Sequence, residues 1–248
     1  IAAGRFQAAQ SILFHLEETY LPYVRDPSVF FAKGVIEMNR KGYPAAQALF
    51  ARLDTAQARF FLGKSYLYEG KTYMAAGVFE KLIADYPETN YREEAEFLAA
   101  DAFFYARDFD GAVIKYQGFL KKYPASKLKN AAVFRIGASQ FNKKDYPSAR
   151  SNFQIIIDRT PADFFAPYAQ YFIAESYLEN KQTRDALFAY TKIIMNYAGS
   201  PVAPASHYKL AWCQYLLGDH NQAQHTLENF LRLYPAHALA KNGWYLRG

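Results

Sequence analysis

Apolar side chains recur along most of this chain with the spacing i, i+3, i+4 and i+7, which is the period of an amphipathic α-helix. The apolar stripes come in pairs that a short polar break separates, and most pairs end near a proline. Because proline has no N–H group and cannot continue a helix, the chain has to turn at these points. The pattern therefore predicts a series of helical hairpins and an all-α fold.

The predicted hairpins recur with a period of 37 residues, without an insertion or a deletion, through residues 56–240. The turns that close them lie at Tyr86-Pro87, Tyr123-Pro124, Thr160-Pro161, Tyr197-Ala198 and Tyr234-Pro235. Each first helix contains a small residue, at Gly63, Ala100, Gly137, Ala174 and Ala211. Each second helix contains an alanine, at Ala75, Ala112, Ala149, Ala186 and Ala223. Because a larger side chain would push the helices apart, these positions predict close helix–helix contacts.

Aromatic residues follow the same period. In the first helices they occupy Phe60, Phe97, Phe134, Tyr171 and Tyr208. In the second helices they occupy Phe79, Tyr116, Phe153 and Tyr190, and Leu227 takes this place in the last unit. Residues that often cap helices follow the closing turns, at Thr89, Ser126, Asp163 and Ser200, whereas His237 departs from the pattern. We expect the four to be the N-caps of the next first helices.

This order of small residue, alanine, aromatic residue and proline resembles the tetratricopeptide repeat (TPR). The Tyr-Pro-x-Ser/Thr-x-apolar variant resembles the repeats of bacterial cell-envelope proteins of the BamD and CpoB (YbgF) type. The family's second alanine in the second helix is replaced by Leu82, Phe119, Ile156, Ile193 and Phe230, which implies wider or differently tilted packing. The resemblance implies a right-handed α–α superhelix, a TPR-like solenoid of helical hairpins, with thirteen or fourteen helices.

The register divides the chain into units. Five full repeats are expected at residues 56–92, 93–129, 130–166, 167–203 and 204–240. A shorter TPR-like repeat precedes them at residues 27–55. Residues 1–26 are interpreted as the second helix of a truncated repeat, and residues 241–248 as the start of a further one. We therefore expect the chain to be a piece of a longer protein.

Composition adds two constraints. Aromatic residues make up 18% of the chain, which requires a core or a surface rich in rings. The net charge of +6 is modest for 248 residues, so it does not by itself indicate a nucleic-acid binder. The single cysteine, Cys213, cannot form an internal disulfide.

No sequence motif indicates catalysis, a cofactor or a metal site. Gly63-Lys64-Ser65 lacks the preceding glycine of a phosphate-binding loop, because Ala58 stands at that position. The five histidines do not have the spacing that lets two imidazoles share a metal ion. Cys213 is expected to be a buried thiol, and Glu93-Glu94 to meet a helix dipole. We predict a non-enzymatic protein without a cofactor.

The resemblance implies that certain positions of the first helices face a partner. These are Phe60, Lys64, Phe97, Asp101, Phe104, Phe134, Phe141, Tyr168, Tyr171, Glu175, Tyr208, Trp212 and Tyr215. Such an aromatic groove suits an apolar or aromatic segment of a protein or peptide. The alternative is that five of these rings mainly pack between adjacent units, namely Phe60, Phe97, Phe134, Tyr171 and Tyr208.

Charge is unevenly distributed. Residues 85–110 are mainly acidic and residues 115–159 mainly basic. The basic region is either a solvated face or a docking patch for an acidic partner or an anionic polymer such as RNA, envelope glycan or lipid head groups. An RNA-binding solenoid would carry a basic stripe in every unit, so no nucleic-acid partner is expected.

The predicted function is therefore a protein–protein interaction scaffold, within a bacterial envelope or motility assembly. The resemblance favours the periplasm or cell envelope and leaves the cytoplasm open. Membrane association is expected only through a partner or a missing terminus.

Overall fold

The computed structural model describes Ser11 and residues 26–241, and in this part of the chain it contains twelve α-helices and no strand. Their bounds are α1 Pro27–Asn39, α2 Tyr43–Phe50, α3 Ala56–Glu69, α4 Thr72–Asp85, α5 Arg92–Tyr105, α6 Phe109–Lys122, α7 Lys129–Asn142, α8 Tyr146–Arg159, α9 Ala166–Glu179, α10 Thr183–Asn196, α11 Ala203–Leu216 and α12 His220–Leu233. The expected all-α fold of consecutive helical hairpins is confirmed in these residues. Over the same stretch, each helix is too short or too polar to cross a bilayer.

The chain forms two compact units, residues 1–123 and residues 124–248. In the described part of the first unit, which contains helices α1 to α6, consecutive helices pack against each other. Helices α7 to α12 do the same in the second unit. The truncated repeats expected at both chain ends lie almost wholly outside the described residues, and the division of residues 56–240 into five repeats stays a prediction.

Among the described second helices, one departs from the common length. Helix α2 has 8 residues, whereas the second helices α4, α6, α8, α10 and α12 have 14 residues each. Its alanine and its aromatic residue, Ala46 and Phe50, have the same spacing as Ala75 and Phe79 of α4. Helix α2 ends directly after Phe50, while α4 continues for six residues after Phe79. The short helix therefore lacks the turns that follow the aromatic residue elsewhere.

The tight turns inside the hairpins share one conformation. A single residue with positive φ follows each first helix, at Lys41, Gly70, Arg107, Lys144, Lys181 and Gly218. In three hairpins the next residue is an aspartate, Asp108, Asp145 or Asp219, whose carboxylate accepts a hydrogen bond from the backbone N–H three residues further on. These aspartates are the N-caps of α6, α8 and α12.

The expected N-caps of the first helices need a correction. Helices α5, α7 and α9 begin three residues after Thr89, Ser126 and Asp163. The three side chains instead accept hydrogen bonds from the backbone N–H two residues on, at 3.3, 2.9 and 2.8 Å. They therefore close a separate turn ahead of the helix. His237, which departs from the sequence pattern, closes the same turn, because its Nδ1 accepts from the N–H of Leu239 at 3.2 Å.

Ser200 departs from this arrangement, although it shares the sequence position. Its hydroxyl is buried and has no hydrogen-bond partner within the described residues. Its backbone carbonyl accepts from the N–H of Ala203 at 3.1 Å, so the turn before α11 still forms. The side chain at this position is therefore not required for the turn.

In the hairpins α3–α4 and α7–α8 the core centres on the aromatic residue of the second helix. Phe79 is fully buried against Gly63, and a Cβ on Gly63 would lie only 2.5 Å from the Phe79 ring. Phe153 lies against Gly137 in the same way, at 2.8 Å. The small residues predicted at these positions therefore leave the space that the ring occupies.

Candidate partner-binding surface

Two first-helix rings of the first unit, Phe60 and Phe97, are buried in the core. Phe60 and Phe97 are only 2% and 8% exposed. Phe60 stacks on Tyr91 at a centroid distance of 4.7 Å, and Phe97 contacts Tyr116 at 5.5 Å. Such burial leaves these two rings little surface for a partner, and both contacts lie within the predicted repeat unit of each ring.

The corresponding rings of the second unit are half-buried. Phe134 contacts Phe153 and Phe165 at 5.3 and 5.1 Å. Tyr171 contacts Tyr190 at 6.0 Å, and Tyr208 contacts Phe230 at 6.0 Å. All three pack against their own second helix, so only part of each ring remains at the surface.

Two carboxylates of the predicted set bind tyrosines inside the hairpins. Asp101 is buried, and it accepts a hydrogen bond from the hydroxyl of Tyr116. Glu175 accepts from the hydroxyl of Tyr190 and lies 3.1 Å from the Nζ of Lys209. Burial, reinforced by the Glu175 charge, raises the pKa of the Tyr190 phenol. Both carboxylates therefore position rings of the core.

Lys64 contacts the chain on two sides. Its ammonium lies 3.7 Å from the carboxylate of Glu94. It also lies over the rings of Phe60 and Phe61, at 5.2 and 5.7 Å from their centroids. This lysine is therefore held by neighbouring side chains rather than extended towards solvent.

The rings near the ends of the first helices lie at the hairpin turns. Each of these rings contacts the ring of the first residue of the following helix. The pairs are Phe104–Phe109, Phe141–Tyr146 and Tyr215–His220, with centroid distances of 5.8, 5.5 and 5.0 Å. Phe141 also contacts Phe172 at 5.3 Å, so it serves packing between neighbouring hairpins.

The most accessible part of the predicted set lies on α11. Trp212 and Tyr215 stack with a centroid distance of 5.7 Å and an interplanar angle of 15°, and Tyr215 is 47% exposed. Together with His220, Gln224 and Leu227 they line a cleft of about 190 Å³. We name this cleft the α11–α12 aromatic cleft.

Several exposed rings lie outside the positions that the sequence singled out, and Phe164 is the most exposed of those among the described residues. Phe164 is 70% exposed in the turn before α9, and it lies 5.3 Å from Tyr168 of the predicted set. The residues one period away, Lys127 and Pro201, are not aromatic. An aromatic residue at a position that is not aromatic in neighbouring repeats is the signal that identifies it.

The charged regions are partly neutralised within the first unit. Lys115 of the basic region pairs with Glu80 at 2.5 Å, and Lys122 pairs with Glu96. In the second unit, Arg150 lies over the ring of Tyr177 at 4.4 Å. These contacts satisfy several cations of residues 115–159, which reduces the net positive field of this region.

The described residues were also compared with the requirements of a metal site and of a reactive cysteine. No group of three or more His, Cys, Asp or Glu side chains lies close enough there to hold a metal ion. Cys213 is fully buried, and desolvation raises the pKa of its thiol to about 12. Such a thiol is not ionised near neutral pH and is a poor nucleophile.

Comparison with known structures identifies the fold. The C-terminal part of a TPR repeat-containing protein from Cytophaga hutchinsonii matches with a TM-score of 0.71 and 16% identity, over 98% of this chain and 95% of that one. MamA from Desulfovibrio magneticus matches with a TM-score of 0.59 and 19% identity, over 75% and 98%. The apo form of RapI matches with a TM-score of 0.68 and 13% identity, over 97% and 79%. At these identities the likeness concerns the fold alone.

Comparison with family models identifies the repeats. No curated protein matches the chain significantly. One tetratricopeptide-repeat model matches residues 57–89 and 205–237, and another matches residues 97–164. Together these matches cover more than half of the chain. The chain therefore belongs to the tetratricopeptide-repeat proteins, whose helical hairpins generally serve as scaffolds for protein interaction.

Proposed function

We propose that this chain is a non-enzymatic scaffold that binds an apolar or aromatic segment of a protein partner at the α11–α12 aromatic cleft. The observation that carries the proposal is the near-parallel stack of Trp212 and Tyr215, because Tyr215 is exposed whereas the other rings of the predicted set are buried or half-buried. Tryptophan and tyrosine are the residues that most often anchor protein interfaces, because they offer a large contact area at a small entropic cost.

The polar groups around the cleft support a peptide ligand. His220 and Gln224 lie beside the stacked rings, and each can exchange hydrogen bonds with a peptide backbone. Leu227 also lines the cleft and is only 3% exposed. An apolar anchor between a buried leucine and two rings, with polar groups at the rim, is the usual arrangement of an interaction hot spot.

The experiment selects peptides from a displayed random library against the chain and measures their affinity by fluorescence anisotropy. The double variant Trp212→Ala/Tyr215→Ala should weaken binding at least about 30-fold, since a hot-spot ring contributes roughly 2 kcal/mol or more. Phe188→Ala is the matched control, because Phe188 is a 61% exposed ring on another helix. Selected peptides should be rich in apolar and aromatic residues.

The same peptides test the rival function, which is binding of an anionic polymer through residues 115–159. The triple variant Lys121→Ala/Lys122→Ala/Lys127→Ala should leave affinity nearly unchanged, and added salt should have a small effect. Selection of acidic peptides whose binding is salt-sensitive, lost with the lysines and insensitive to the ring variant would contradict the proposed function.

We also propose that the scaffold acts in a bacterial envelope or motility assembly. The repeated Tyr-Pro-x-Ser/Thr pattern, which resembles that of BamD- and CpoB-type envelope proteins, supports this assignment. Fractionation of cells that carry the full-length protein tests it. Recovery with the envelope or periplasm is the expected result, and recovery only with the cytoplasm would contradict it.

A further inference from the structure

Among the described residues, the short helix α2 leaves uncovered a surface that the corresponding turns cover in the next hairpin. In α4 the turns after Phe79 contain Leu82, which is fully buried in a cluster with Ala95 and Ala99 of α5. Ile83 packs against the same cluster. Helix α2 ends at Phe50, so the equivalent positions lie outside it: Leu53 is half-buried at the position of Leu82, and the exposed Asp54 takes the position of Ile83. This place therefore lacks helical turns and retains one of the two apolar side chains.

A cleft of about 450 Å³ lies where this turn is missing. Its apolar wall is formed by Phe50 at the end of α2, by Leu53 after it, by Leu62 of α3 and by Val78 of α4. Leu53, Leu62 and Val78 are only partly buried. We name it the α2 cleft. None of its lining residues belongs to the predicted partner-binding set, so it is a separate surface from the α11–α12 aromatic cleft.

The rim of the α2 cleft is positively charged. Arg59 is neutralised, because it binds Asp54 at 2.9 Å and also Asp85. Arg52 and Lys81 have no carboxylate partner within the described residues, and the guanidinium of Arg52 lies over the ring of Phe30 at 5.2 Å. Two uncompensated cations beside an apolar wall favour a ligand that combines apolar groups with carboxylates.

We propose that the α2 cleft binds an acidic amphipathic helix of a protein partner. One apolar turn of that helix takes the place of the turns that α2 lacks, and its flanking carboxylates pair with Arg52 and Lys81. The turns of α4 show the required chemistry, since Glu80, Leu82, Ile83 and Asp85 combine two apolar residues with two acids in six positions. This mode is a helix laid in a groove, with apolar anchors and charged flanks.

The probe is a fluorescein-labelled, side-chain-stapled helical peptide that copies residues 72–86 of this chain and carries Lys81→Glu. One control peptide carries Leu82→Ser and Ile83→Ser in addition, and a second carries Lys in place of its acids. The full chain should bind the probe in a saturable manner, and both control peptides should bind at least tenfold more weakly. Equal binding of the probe and either control, or no binding at millimolar protein, would overturn the proposal.

Protein variants locate the site. Arg52→Glu/Lys81→Glu should weaken binding of the probe at least tenfold, whereas Lys192→Glu, an exposed lysine of α10, should leave it unchanged. Because the cleft cations are at the surface, circular dichroism should show an unchanged helix content. Trp212→Ala/Tyr215→Ala should not affect the probe, so this result is independent of the proposed function. Loss of binding in the ring variant alone, or an unchanged affinity in the charge variant, would refute the α2 cleft as the site.

Discussion

The hairpins α3–α4 and α5–α6 close their cores with two different sets of residues. In α3–α4, Phe79 packs directly on Gly63, and the next position of the first helix is Lys64. In α5–α6 the ring is Tyr116, the small residue is Ala100, and Asp101 accepts the hydrogen bond of the tyrosine hydroxyl. The same contrast recurs in the second unit.

Hairpin α7–α8 repeats the first set, with Gly137, Ala138 and Phe153, and α9–α10 repeats the second, with Ala174, Glu175 and Tyr190. A phenylalanine is thus positioned only by shape, against a residue without a Cβ. A tyrosine is positioned by a hydrogen bond as well, and the small residue beside it is an alanine, which has a Cβ. The comparison teaches that the small residue, the ring and the carboxylate vary together and form one packing unit.

The largest expected effect comes from adding one methyl group to the glycine in a hairpin of the phenylalanine type, that is, one whose buried ring is Phe79 or Phe153. Gly63→Ala should lower the free energy of unfolding by about 2–3 kcal/mol, because the new Cβ overlaps the fully buried Phe79 ring. Gly77→Ala is the matched control on α4, since a Cβ there meets no atom within 4 Å. It should raise stability by about 0.5–1 kcal/mol through helix propensity. Urea unfolding of both variants checks the signs, and equal effects would show that the ring does not limit this position.

A smaller effect is expected when the phenylalanine type is converted to the tyrosine type. Phe153→Tyr should cost about 1–2 kcal/mol, since the buried hydroxyl lacks the carboxylate that Tyr116 has. Adding Ala138→Asp, which copies the place of Asp101, should recover part of this loss. A double-mutant cycle in urea measures the coupling. Strictly additive effects would mean that the carboxylate and the ring are independent.

The smallest effect concerns alkaline pH and the tyrosine type. Because the pKa of Tyr190 is raised in the folded state, the unfolded chain releases this proton first, near pH 10. The free energy of unfolding should therefore be constant below pH 10 and fall above it, by about 1 kcal/mol for one pH unit. Urea unfolding at pH 9 to 11 should show a shallower fall for Tyr190→Phe than for the wild type or for the exposed-ring control Tyr73→Phe. Parallel curves would contradict this account.

The sequence predicted the helices well because their apolar period is a local property. It misplaced the first-helix N-caps. The same residue types, Thr, Ser and Asp, either cap a helix or close a turn ahead of it, and the sequence does not distinguish the two. It also grouped Phe97 with Tyr215, although one is buried and the other is 47% exposed. Both occur in first helices, and only the three-dimensional neighbours decide which ring is covered.

The α2 cleft shows a second limit of the sequence. The sequence shows that the repeat at residues 27–55 is shorter than the 37-residue repeats that follow it. Whether this shortening leaves a cleft depends on Leu62 and Val78, which belong to other helices. A cleft formed by residues from three segments has no signature in any one of them.

The buried thiol of Cys213 gives this protein an internal reporter. The chain contains no other cysteine, so a thiol-reactive dye can attach at one position only. With a side chain that is fully buried and a pKa of about 12, the reaction requires an opening event that exposes helix α11. The labelling rate under native conditions therefore measures the opening free energy of the region beside the aromatic cleft. A bound peptide that protects this region should slow labelling, which provides a readout that needs no engineered residue.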